Sequence, residues 1–289
     1  MSLGQSSSVE IDHPILIAVV LWVAMSFCMG AVGRYVTEPS LYAPAACAVV
    51  GGFAVLFGWI NRRLFPTTSQ MSRAKKWEMA LLCCGPGLAY LGLLVGARAC
   101  SERLGFDGEL LTPWIRPPIE WQSTSGQPST SVGTVLMLLA FGWILTPLLE
   151  ESLFRGYLLR SLARQRSPWF AIAVSSALFA VAHGRSFAAY AFFGVMLSLI
   201  ILRGAPLWVV IVAHGFCNLL VSLNEWTLHL GMIDNALDRQ PSIPWGMQAL
   251  IGMALVAVGL GAQAVGLRRL PKVARWMAAE ARPPGKEVS

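Results

Sequence analysis

The chain has 289 residues, 55% of them hydrophobic and only 13% charged, and a formal net charge of +7. That balance excludes an ordinary soluble domain. It also argues against a nucleic-acid partner, because the basic residues are scattered through loops instead of clustering with aromatics on a polar face.

Apolar runs recur at about 14–33, 41–60, 77–97, 132–158, 168–183, 186–202, 205–223 and 245–267, most of them near the ~20 residues that cross a ~30 Å hydrocarbon core. Backbone in lipid must satisfy its own hydrogen bonds, so each run is predicted to be a helix. The expected fold class is all-α: a polytopic membrane protein of about eight transmembrane helices in one bundle with an intramembrane polar cavity. The first run follows MSLGQSSSVEIDH, which carries Glu10 and Asp12 but no Lys or Arg, so it reads as a retained span and not as a secretory signal. The six cysteines form no CxxC pair and read as small apolar fillers.

Between the third and fourth runs lies a connection over about 98–131, rich in Pro, Ser, Gly and Trp, in which Trp114 and Trp121 read as interface anchors. The polar stretch after the seventh run, with Asn224, Glu225, His229, Asp234 and Asp238, reads as a solvated loop. His13 and His229 fall outside the spans and receive no role. The basic tail, from Arg268 on, reads as cytoplasmic and as amphipathic or disordered.

Threading eight helices puts sixteen Lys and Arg residues on one side, among them Arg62, Arg63, Lys75, Arg164, Arg166, Arg203 and the tail, against six on the other. The positive-inside rule then predicts that both termini are cytoplasmic. Three segments follow: 1–129 with the first three helices and the long non-cytoplasmic loop, 130–223 with helices four to seven, and 224–289 with the last helix and tail.

The fourth run contains PLLEESLFRGYLL, residues 147–159, with charged groups where Leu and Phe are expected. Ionisable side chains at membrane depth are functional candidates by default. Residues four apart share a helix face, so Arg155 can pair with Glu151, while Glu150 points about 100° away and is left to face a wet cavity. The fifth run places Phe179 and His183 at the same spacing, and the seventh places His214 and Asn218. At ~1.5 Å rise per residue, Glu150 lies ~21 Å from Arg164, His183 ~22 Å from Pro168 and His214 ~14 Å from Ala205, so all three can meet in one layer. Gly142, Gly156, Gly184, Gly194 and Gly215 are the small residues expected to let those helices approach closely.

The order EExxxR, FxxxH, HxxxN on successive apolar helices, here Glu150-Glu151 to Arg155, Phe179 to His183 and His214 to Asn218, resembles the CPBP intramembrane proteases. That group includes the CAAX prenyl endopeptidases and bacteriocin-processing proteins. The resemblance covers about 130–223 and implies an endopeptidase acting on membrane-associated proteins or peptides. Peptide hydrolysis needs a base for water and donors for an oxyanion. Glu150 is the expected base, His183 orients the water, and His214 and Asn218 donate to the oxyanion. Glu151, Arg155 and Phe179 form the supporting layer. No cofactor is called for; the alternative is zinc on His183, His214 and Glu150, against which stands the lack of an HExxH sequence. Two non-enzymatic readings use the same residues: a transporter or scaffold with a proton or cation site, and a factor protecting against a bacteriocin.

Overall fold

The computed structural model describes residues 13–35, 39–64, 76–104, 139–183, 187–236 and 244–268. Trp114, Trp121, Gly184, the 65–75 connection and the tail beyond Arg268 lie outside them. The described residues form the helices α1 (Pro14–Tyr35), α2 (Pro39–Leu64), α3 (Lys76–Leu104), α4 (a continuous helical run, 139–165), α5 (Pro168–Ala182), α6 (Phe187–Leu202), α7 (Leu207–Ala236) and α8 (Trp245–Leu267).

Three stretches combine the length and apolarity of a membrane crossing: Glu78–Ala97 in α3, Leu207–Asn224 in α7 and Gly246–Leu267 in α8. Shorter apolar stretches occupy α1, α2, α5 and α6. The chain is an integral membrane protein, and exposed Leu16, Val20, Val23 and Phe27 on α1 and Leu250, Met253 and Val258 on α8 are faces that lipid would cover. At 15 and 16 residues, α5 and α6 fall short of the ~20 needed for a full crossing.

Local sequence accounts for the ends. Ser167 caps α5 by accepting the Phe170 amide at 3.2 Å, with Pro168 in the first turn where its missing N–H is no loss. Gly204, at φ 88°, ends α6 in the left-handed region that an L side chain rarely adopts. Pro206 then opens the way into α7, so α6 and α7 are joined by a tight turn. α7 continues to Ala236, so the stretch with Glu225, His229 and Asp234, expected as a solvated loop, extends the helix instead.

α4 is the hub, touching α1, α2, α5, α6 and α7, while α3 packs on α6 and α7 and makes its most extensive contact with α8. That contact is backbone on backbone. A Cβ on Gly92 would lie 2.6 Å from the Gly252 carbonyl, and one on Gly85 2.9 Å from the Gly259 carbonyl. Such close approach is how apolar helices associate where burial from water gives no driving force.

α4 is not a regular α-helix. Phe141–Leu145 and Ser152–Leu158 are π-helical, and the Thr146 and Leu159 amides reach back five residues to the Phe141 and Phe154 carbonyls. The α-helical turn Thr146–Glu151, which carries both glutamates, lies between them. Such wide turns recur at functional sites because they rotate side chains away from the positions a regular helix would give them.

Candidate active site

Glu150 and Glu151 are both buried, and so are Arg155 and His214. Arg155 donates from Nη1 to Glu151 Oε1 at 3.0 Å, the pair expected from their spacing, and its guanidinium carbon lies 4.1 Å from the centre of the Phe179 ring. Nε and Nη2 have no hydrogen-bond partner, so the aromatic face takes part of the role that hydrogen bonds would fill. Room for the guanidinium comes from Gly194 of α6, where a Cβ would lie 3.1 Å from Nη2.

The pairing is wider than spacing alone suggests. His214 Nδ1 meets the same Glu151 Oε1 at 2.8 Å, so Glu151 bridges Arg155 of its own helix and His214 of α7. The other ring nitrogen, Nε2, lies 3.8 Å from Glu150 Oε2. One imidazole therefore stands between two adjacent carboxylates of α4.

His183 follows the last residue of α5. Its Nδ1 is 2.7 Å from the Phe179 carbonyl and its Nε2 is 3.5 Å from Glu150 Oε2. The ring packs against Phe179, with centroids 4.4 Å apart, and stacks on Tyr190 of α6 at 4.0 Å. With 18% of its side chain exposed against 4% for His214, His183 marks the open edge of the cluster.

Asn218 lies one turn beyond His214, but its Nδ2 donates to the Gly142 carbonyl at 2.8 Å instead of joining the carboxylates. One of its two amide protons is used there. Gly142, expected to serve close helix approach, has no atom within 4 Å of where a Cβ would stand; its carbonyl is what is used. Gly215 does permit close approach, since a Cβ there would collide with the Trp143 carbonyl.

The aromatic wall was not legible from the motifs. Phe193 of α6 lies 5.2 Å from His214, Phe154 of α4 packs edge-on against Phe179 at 5.3 Å, and Tyr90 of α3 contacts Tyr190 and Phe193. Tyr190, Phe193 and Gly194, three and four residues apart on one helix face, were the signal available. Among the described residues no group of three His, Cys, Asp or Glu side chains is placed to hold a metal ion.

Two histidines facing a buried glutamate inside a bundle of apolar helices define the class: an integral membrane protein with a buried cluster of ionisable side chains. Residues 132–220 match the family model described as Type II CAAX prenyl endopeptidase Rce1-like. That matched segment, under half of the chain, is similar to the CPBP/CAAX protease family and holds Glu150, His183, His214 and Asn218. Neither the curated proteins nor the solved structures compared with the chain give a match.

Proposed function

We propose that the chain is an intramembrane endopeptidase in which Glu150 activates a water to hydrolyse a peptide bond of a membrane-associated protein or peptide. The observation that carries this reading is the convergence of His183 Nε2 and His214 Nε2 on Glu150 Oε2, at 3.5 and 3.8 Å, with that oxygen left without a hydrogen-bond partner. The Phe179 carbonyl and the Glu151 carboxylate can only accept, so each imidazole donates from Nδ1. Each neutral ring then turns the lone pair of Nε2 toward an oxygen that carries lone pairs of its own. Three acceptors facing one another are stabilised by a donor among them, and a water at that point donates to two of the three.

In the reaction Glu150 takes a proton as the water oxygen forms its bond to the scissile carbonyl carbon. The carbonyl electrons move to oxygen, where the second amide proton of Asn218 stands as donor. Collapse breaks the C–N bond, and the proton on Glu150 passes to the leaving amine. Glu151 acts chiefly by orienting His214, a different task from the support of Glu150 expected from spacing. A zinc ion on His183, His214 and Glu150 would activate water by another route, which the chelation test below separates from the glutamate mechanism.

The family description and the basic loops support a wider frame: eight crossings, cytoplasmic termini, a catalytic segment over 130–223, and a prenylated CAAX-type tail as the first substrate class to try. The test is cleavage of a quenched-fluorescent peptide ending in a prenylated CAAX sequence by the solubilised full chain. Glu150→Gln should lower turnover by ~10²-fold or more with an unchanged melting temperature. Thorough chelation should leave the rate intact. Wild-type cleavage matched by Glu150→Gln removes the base from Glu150, and loss on chelation with recovery on adding zinc replaces the water mechanism with the metal one.

A further inference from the structure

The contact between Asn218 and α4 depends on a defect in the α4 backbone. In a regular helix the Gly142 carbonyl would accept from the Thr146 amide, but that amide reaches back to Phe141. One residue further on is Pro147, which has no N–H. Both backbone donors within reach are thus removed, and the Gly142 carbonyl is filled from outside by Asn218 Nδ2 at 2.8 Å. A second bond lies beside it: Trp143 donates from Nε1 to Ser222 Oγ at 3.2 Å, and Ser222 donates to the Asn218 backbone carbonyl at 2.8 Å. The result is a closed circuit in which two neighbours on α4, Gly142 and Trp143, hold two residues one turn apart on α7.

We propose that Trp143 and Ser222 are positioning residues that, together with the Gly142 carbonyl, fix the plane of the Asn218 amide so that its remaining N–H is aimed at the reacting carbonyl. The proposal rests on the protease reading above. Neither residue belongs to the three motifs, and neither needs to touch substrate. The circuit uses the donor and the acceptor capacity of the Ser222 hydroxyl together, so a residue of the same shape without the hydroxyl breaks it at two points.

The test compares Ser222→Thr with Ser222→Val, a pair nearly equal in shape and differing in the hydroxyl, alongside Trp143→Phe, which keeps a ring but removes the indole N–H. The probe is the prenylated peptide, cleaved by the solubilised full chain. Ser222→Val and Trp143→Phe should each lower kcat by several-fold to about tenfold with KM unchanged, the scale of one lost hydrogen bond, while Ser222→Thr keeps the rate. Repeated in an Asn218→Ala background, the same substitutions should have no further effect. Equal losses in both backgrounds, or equal rates for Ser222→Thr and Ser222→Val, would overturn the proposal. Should Ser222→Val not fold, Trp143→Phe with and without Asn218→Ala decides alone. A wild-type chain that leaves the peptide intact, or a fully active Glu150→Gln, sinks the underlying protease reading, an outcome separate from any result on the circuit.

Discussion

Glu151 holds two cationic or potentially cationic partners through one oxygen, Arg155 at 3.0 Å and His214 at 2.8 Å, whereas Glu150 faces only imidazoles. Glu151→Gln leaves the buried Arg155 without its counter-charge and should therefore destabilise the fold by about 3–5 kcal/mol. Thermal unfolding in detergent would register this, whereas Glu150→Gln should leave the melting temperature in place. Arg155→Lys is not a mild change, because the flat guanidinium lies on the Phe179 ring and an ammonium cannot cover that face in the same way. It should lower stability measurably while leaving the formal charge unchanged. The residues brought together, Glu150, Glu151, Arg155, Phe179, His183 and His214, were legible because their types and spacings are costly in an apolar helix without partners. The bridge from Glu151 to His214 was not, since spacing within one helix says nothing about what a second helix presents. Nor was the Asn218 bond, which goes to a backbone carbonyl that no side-chain pattern reveals.

At the scale of elements, α4 is interrupted by π-helical turns on both sides of its glutamates, and Pro147 accounts for part of the first. Pro147→Ala returns an amide donor to a run of carbonyls now served from α7. The expected outcome is a melting temperature no lower than wild type together with slower cleavage, because the restored ladder competes with Asn218. The positions of the helices themselves were close to what hydropathy gave, as with α1, α6 and α8, since length and apolarity are local properties. Which glycines matter is not local. Gly259→Ala drives a Cβ into the Ala89 backbone of α3 and should cost ~1–3 kcal/mol, whereas Gly58→Ala in α2, with nothing within 4 Å, should be neutral or mildly stabilising. Thermal melts of the two variants, compared side by side, check this.

Across the whole molecule, orientation follows from charge. Reporter fusions after Lys75, after Arg166 and at the C-terminus should all read cytoplasmic, and fusions within 105–130 should read the other side. A C-terminus found outside would remove the eight-crossing arrangement. The glycine-faced packing of α3 on α8 also has a consequence in time. α3 leaves the ribosome well before α8, so at ~5–20 residues per second the first must wait roughly ten to thirty seconds in the membrane for its partner. Tyr90 of α3 reaches the aromatic side chains Tyr190 and Phe193, which lie against the two histidines, so the placement of α3 is felt at the chemistry. The nascent chain thus carries its glutamates and histidines into the bilayer well before the helix that fastens their surroundings has been made, and a newly synthesised molecule becomes competent only once α8 has joined α3.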